Sequence, residues 1–163
     1  LLLKGSCHCH GVRFTVRSTN PVPYQRCYCN ICRKQQGGGG YAINLSALAD
    51  TLKVHGEDNI TRYHAHMREP GKREHRSTAD RAFCKICGSA LWLFSPDYPE
   101  LLHPFASAID SELPKPKATT HIMLAFKPDW VAPQKGDDDL VCDGYPEESI
   151  AEWHDRHGET VKP

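Results

Sequence analysis

Seven of the eight cysteines in this 163-residue chain fall in three short clumps: Cys7-His8-Cys9, Cys27-Tyr28-Cys29-Asn30-Ile31-Cys32 and Cys84-Lys85-Ile86-Cys87. No other feature limits the fold as strongly, because each clump aims two or three sulfurs at one place. Disulfide frameworks staple shorter secreted domains that lack a sufficient core, and their cysteines are more evenly spread. A chain of 163 residues buries a core without such staples. Paired and tripled thiols at these spacings are those of zinc sites. The eighth cysteine, Cys142, reads as an ordinary buried thiol.

Cys7 with Cys9 and Cys84 with Cys87 supply two thiolates each, and Gly88 behind the second pair allows the tight turn that points both sulfurs at one ion. Four thiolates complete a tetrahedron. A zinc there would clasp the N-terminal strand to a late hairpin and contribute folding free energy directly, so the site is expected to be structural. His8 and His10 are expected in a strand, pointing away from the ion, and outside the ligand set.

Cys27, Cys29 and Cys32 place three sulfurs in six residues and supply only three ligands locally. Zinc sites with three protein ligands and an open fourth position take substrate, whereas structural sites are closed. Three thiolates on a divalent cation leave roughly −1 formal charge, which weakens Lewis acidity and makes a poor activator of water. A soft, sulfur-rich zinc instead holds an incoming thiol as thiolate near neutral pH. Arg33 and Lys34 follow at once; they offset the surplus charge, hold a carboxylate of the substrate, or are solvated surface cations. Gly37 to Gly40 form either a close main-chain approach to a ligand or a plain flexible loop. Cys142, His64 and His66 are the candidates for a fourth ligand, and any of them in that place would weaken the catalytic reading.

Lys and Arg total 20 against 20 Asp and Glu, so no net field gathers phosphates or anionic lipid, and nucleic acid is not a favoured partner. Leu1-Leu2-Leu3 is too short for a signal core, and no apolar run approaches the ~20 residues that span a bilayer. A cytoplasmic protein without a membrane partner is expected. Turn residues are frequent and the segments between them short: Val12–Val16, Tyr41–Leu45, Ile60–His64, Ala90–Phe94 and His121–Phe126 are predicted strands, giving a mainly β chain. Helix is predicted only at Ser46–Leu52, with Ser46 as N-cap, and at Pro146–His157, with Glu147 and Glu148 in its first turn. Gly136–Asp139 reads as an exposed loop leading into a C-terminal extension, so that residues 1–132 form one domain and 133–163 its extension.

At its cysteine motifs the sequence resembles the glutathione-dependent formaldehyde-activating enzyme family, which includes centromere protein V. The resemblance lies in Gly5-Ser6-Cys7-His8-Cys9-His10-Gly11-Val12-Arg13-Phe14, in the run from Cys27 through Cys29 and Cys32 to Arg33-Lys34, and in Phe83-Cys84 through Cys87-Gly88-Ser89 to Leu91. Asp129-Trp130 after His121 is similar to the family's closing segment, and the likeness covers roughly residues 4 to 132. It implies stacked antiparallel sheets, a structural zinc on Cys7, Cys9, Cys84 and Cys87, and a catalytic, labile zinc on Cys27, Cys29 and Cys32. The implied activity joins glutathione and formaldehyde in S-hydroxymethylglutathione and is classed as a carbon–sulfur lyase. His10 stands where the family usually has Gly, the four-glycine run replaces a more varied loop, and the tail after residue 133 has no counterpart. Two rival readings remain: a noncatalytic zinc- or glutathione-binding or interaction module, and a thiol redox enzyme, for which Cys142 is the only spare cysteine.

Overall fold

Strand formation here follows the alternation of apolar and polar residues. In β1 (Leu2–Ser6) and β2 (Arg13–Arg17), Leu3, Phe14 and Val16 turn inward while Lys4, Arg13 and Arg17 face solvent. The computed structural model describes residues 1–36 and 38–161. β1 and β2 pair antiparallel, and β6 (Lys53–His55) completes a three-stranded sheet in the order β1-β2-β6. A five-stranded antiparallel sheet stacks on it, built from β5 (Ala47–Leu48), β10 (Leu101–Pro104), β9 (Ala90–Phe94), β8 (His75–Cys84) and β7 (Ile60–Met67) in that order. The main core includes Leu3, Phe14, Val16, Leu45, Leu91 and Trp92, with the Phe14 and Trp92 rings edge to face at 5.1 Å. Gly5 sits where a Cβ would come within 2.4 Å of the Phe14 ring and 2.5 Å of the Ala108 carbonyl oxygen, so only glycine lets β1 pass this close.

The third sheet, in the order β12-β11-β3-β4, carries the second cysteine clump. β3 (Tyr24–Cys27) pairs antiparallel with β4 (Ala42–Asn44) and parallel with β11 (Thr119–Ile122), and β11 pairs parallel with β12 (Leu140–Val141). These parallel pairs are a departure from an all-antiparallel stack. Long connections, not hairpins, join the parallel partners: the five-stranded sheet lies between β3 and β11 in the chain, and residues 123–139 lie between β11 and β12.

Two expected elements differ, and one element arises unannounced. Ser46–Leu52 is not a helix: Ala47 and Leu48 pair with Leu102 and Leu101, and only Ala49–Thr51 makes a 3-10 turn. Pairing with a neighbouring strand overrides the local helical pattern. The strand expected over His121–Phe126 stops at Ile122, because Met123 takes φ 62° and starts a 3-10 turn at Leu124–Phe126. A helix that the pattern did not announce, α1 (Asn30–Gln36), begins inside the second cysteine clump.

The C-terminal segment packs on the rest of the fold through a small cluster of its own, apart from the main core. α2 (Ile150–His157) starts at Ser149, which forms a capping box with Glu152, and ends at left-handed Gly158. Glu147 and Glu148 therefore precede the helix, and Glu148 pairs with Arg156 instead. Trp153 is buried against Val22 and Ala118 and stacks on the His157 ring at 3.9 Å. Trp153→Ala is expected to lower the free energy of unfolding by about 3–5 kcal/mol, read from denaturant melts.

Candidate metal centres

The Cys7–His10 segment is a turn, closed by the His10 amide donating to the Cys7 carbonyl at 3.0 Å. It is not the strand expected there, and this turn is what aims both sulfurs at one point. Cys84 ends β8, and its carbonyl accepts the Gly88 amide at 2.8 Å, with Gly88 at φ 75°. The Sγ atoms of Cys7, Cys9, Cys84 and Cys87 all lie within 4.8 Å of one another, with Cys7–Cys9 at 3.5 Å and Cys9–Cys84 at 3.8 Å. A tetrahedron with metal–sulfur bonds of ~2.3 Å has sulfur–sulfur edges of about 3.8 Å, so this donor set fits a zinc ion. A disulfide, at ~2.05 Å, does not fit those separations, and all eight cysteines are free. Cys7 and Cys84 are buried while Cys9 and Cys87 are exposed. Neither His8 nor His10 belongs to the set.

The second set is carried by β3 and α1. Cys27 ends β3 opposite Ala42 and Ile122, Cys32 lies in the first turn of α1, and both are buried; Cys29, between them, is half-buried. Their three Sγ atoms lie within 4.8 Å of one another, and the Cys32 amide donates to the Cys29 sulfur at 3.3 Å. Among the described residues no fourth Cys, His, Asp or Glu joins them. His64 faces the Ala79 carbonyl at 3.1 Å and His66 faces Glu74 at 3.2 Å. Cys142 is half-buried rather than fully buried and stands outside both sets. Its thiol is pushed up by desolvation and by Glu148, Asp143 and Glu147, the reverse of what a redox nucleophile needs.

Sharing of protons singles out one sulfur in this trio. Hydrogen bonds from the Cys27 and Cys32 thiols, with further help from the Cys32 and Ile31 amides, hold the Cys29 thiol well below its usual value. Cys27 is pushed up by its bonds to Cys29 and Cys32 and by desolvation. Arg81 brings Nη2 to 3.8 Å from the Cys32 sulfur, a charge-assisted contact that no cysteine spacing announces. Its place is set by β8: Ala82 and Cys84 turn to the main core, and the strand's alternation sends Arg81 to the opposite face. Of the two cations expected beside this site, Lys34 is exposed, while Arg33 is half-buried with an Nε–H that has no partner among the described residues.

Tyr28, between two of the cysteines, anchors the clump from behind. It is fully buried, and its hydroxyl meets His121 Nδ1 at 2.9 Å; His121 Nε2 meets Asp139 Oδ2 at 2.8 Å. The expected exposed loop thus turns one carboxylate inward. A neutral imidazole here carries its proton on Nε2, the side facing the carboxylate, and accepts the Tyr28 hydroxyl at Nδ1. Desolvation would raise the Asp139 carboxyl, but the Gly136 and Thr119 amides, at 2.9 and 2.7 Å, and His121 outweigh it and hold it below its usual value. All four residues of β11 are buried, so no alternation marks His121, and the loop that carries Asp139 has no period to mark it either.

Fold and sulfur geometry together define a class: a mainly β protein with two sulfur-rich centres able to hold metal, one with four cysteines and one with three. The profile of the glutathione-dependent formaldehyde-activating enzyme family matches residues 2–125. A relative from Halomonas elongata, whose name provisionally gives it that same activity, is 55% identical over 161 residues, covering 97% of this chain and 98% of the relative. A crystal structure of a Rhodobacter sphaeroides protein superposes with a TM-score of 0.53 at 28% identity, over 68% of this chain and 91% of the other. The chain belongs to the glutathione-dependent formaldehyde-activating enzyme family.

A group whose folded value lies below its unfolded one stabilises the fold above the unfolded value, and that stability is lost as pH falls through the folded value. For Asp139 the unfolded reference is 3.8. Stability of the wild type is therefore expected to fall below about pH 4 as Asp139 takes up its proton. Asp139→Asn is expected to be less stable near pH 7 by about 1–2 kcal/mol and to show a flatter acid limb in thermal melts run across pH 2 to 7.

Proposed function

We propose that this chain adds glutathione to formaldehyde, giving S-hydroxymethylglutathione, and cleaves the adduct in reverse as a carbon–sulfur lyase. The reading rests on family membership and, at the site, on one observation: Cys27, Cys29 and Cys32 converge with no fourth ligand side chain beside them among the described residues. In it, zinc on these three sulfurs is catalytic, zinc on Cys7, Cys9, Cys84 and Cys87 is structural, and Arg33 and Lys34 flank the catalytic centre. Bound at the three sulfurs, zinc would supply a soft Lewis acid that keeps an incoming thiol ionised near neutral pH.

The chain's own groups fit the remaining requirements. The thiolate sulfur of glutathione forms the new bond to the aldehyde carbon, the carbonyl π pair moves to oxygen, and that oxygen takes a proton, so atoms and charge balance without an oxidant. Arg81 beside Cys32 compensates the surplus negative charge of three thiolates. Tyr145, an exposed phenol on which the charges of Cys27, Cys29 and Cys32 act, is neutral near pH 7 and is the donor this reading assigns to the nascent alkoxide. The addition of a thiolate to formaldehyde is intrinsically accessible, so the site's contribution is ionisation of sulfur and positioning. Free thiols suit a reducing compartment, which supports a cytoplasmic location.

The test pairs metal analysis with NMR exchange between the hydroxymethyl adduct and free formaldehyde. Wild type is expected to carry two zinc ions, and Cys29→Ser to keep its fold, fall toward one zinc and lose catalysed exchange. Exchange that survives at the wild-type rate in Cys29→Ser would falsify the enzymatic reading.

A further inference from the structure

A cleft of about 500 Å³ opens between the Cys7–His10 turn, the Gly88–Ala90 turn and the last turn of α1. Its walls include Ser6, His8, His10, Gln36, Ser89 and Asp110, so it is polar, with one carboxylate and two imidazoles. Its volume lies in the range that encloses a small ligand.

Two features of these walls lack a structural use. Gln36 accepts the Ser107 hydroxyl at Oε1 (3.2 Å), yet its amide Nε2 is buried with no acceptor among the described residues. Leaving a buried donor unpaired is costly, and such a group marks a place where a ligand acceptor fits. His10 holds φ at 59°, the left-handed region that glycine enters without strain. An imidazole is kept at the cleft wall at the expense of backbone strain, and strain of this kind gathers where ligands are held.

The cleft is also within reach of the three-sulfur centre. α1 carries Cys32 in its first turn and Gln36 at its end, and at 1.5 Å per residue the two are separated by roughly 6 Å along the axis. A tripeptide extends to about 10 Å, so one whose sulfur sits at Cys27, Cys29 and Cys32 can lay an arm in the cleft. We propose that this cleft binds the peptide arm of the thiol substrate, a short zwitterionic peptide. Gln36 Nε2 donates to a carbonyl or carboxylate oxygen, His10 shapes the wall around it, and Asp110, which already accepts the Ser6 hydroxyl at 2.6 Å, faces the ammonium group. The assignment rests on the thiol-addition reading above and names the part of the chain that selects the thiol.

S-methylglutathione separates the two, because it keeps the peptide and cannot ionise at sulfur. Calorimetric titration of the zinc-loaded protein is expected to show one S-methylglutathione per chain, weakened at least fivefold in Gln36→Leu and in His10→Gly. His10→Gly relieves strain and is expected to melt no lower than wild type, so its weaker binding does not reflect unfolding. Cys29→Ser is expected to bind S-methylglutathione within twofold of wild type while losing catalysed exchange. Absence of S-methylglutathione binding to the wild type, or affinity unchanged in both cleft variants, overturns the cleft assignment even where exchange is catalysed. Weakened affinity in both variants upholds it even where wild type catalyses no exchange, the outcome that would sink the thiol-addition reading alone.

Discussion

Convergence of four sulfurs from two chain segments that are far apart in sequence governs the arrangement of this protein. Cys9 and Cys84 are 75 residues apart and their sulfurs stand 3.8 Å from each other. Loop closure of that length is entropically unfavourable and must be offset by what holds its ends. Packing of Phe14 on Trp92 supplies one such contact, between the same two sheets that the sulfurs join. The polar contacts around the sulfurs supply others: Asn59 Nδ2 donates to the Gly11 carbonyl at 2.9 Å, and the Asn59 carbonyl accepts the Lys85 amide at 2.8 Å. The cysteine turns are thus fixed by neighbouring backbone, so that the sulfurs arrive preorganised for an ion.

The three-sulfur centre is held differently. Its ligands come from one short run of chain, whose geometry is set by a strand that ends and a helix that begins within six residues. Tyr28 must then face away from the sulfurs on either side of it, and the buried His121 and Asp139 hold it there. Because Asp139 lies beyond the segment that the family profile matches, the C-terminal part of the chain reaches back to support the centre through two hydrogen bonds.

Grouping of the sulfurs within each clump was readable in the sequence because two cysteines separated by one or two residues in a turn have little choice of direction, and the count of two, two and three sulfurs pointed to one closed set and one open set. Strands β2, β4, β7 and β9 were readable for the same local reason, since alternation or short apolar runs mark them. What was not readable depends on contacts between distant residues. Ser46–Leu52 has a helical pattern, yet strand β10 claims Ala47 and Leu48. Asp139 sits in an acidic run that looks like a solvated loop, and only the position of His121 explains why one of its carboxylates turns inward. Arg81 gives no sign of its contact with Cys32 until β8 is known to separate two environments. Gln36 is likewise unremarkable until the Ser107 hydroxyl fixes one end of its amide and leaves the other without an acceptor.

β8 links the two centres mechanically. Cys84 and Arg81 lie three residues apart on one strand, about 10 Å at the usual rise, and the pleat sends their side chains to opposite faces. Pulling Cys84 toward the four-sulfur set fixes the register and tilt of the strand, and the same register fixes where the Arg81 guanidinium meets Cys32. A strand paired on both sides, with β7 and β9, transmits that constraint because it cannot slide without breaking both ladders. A metal held at the four sulfurs would therefore do more than join the sheets: through β8 it would set the charge environment of the sulfurs on the other side of the sheet. Such control matters at a three-thiolate centre, since with a divalent ion bound it would carry roughly −1, which one cation at hydrogen-bonding distance brings to neutral.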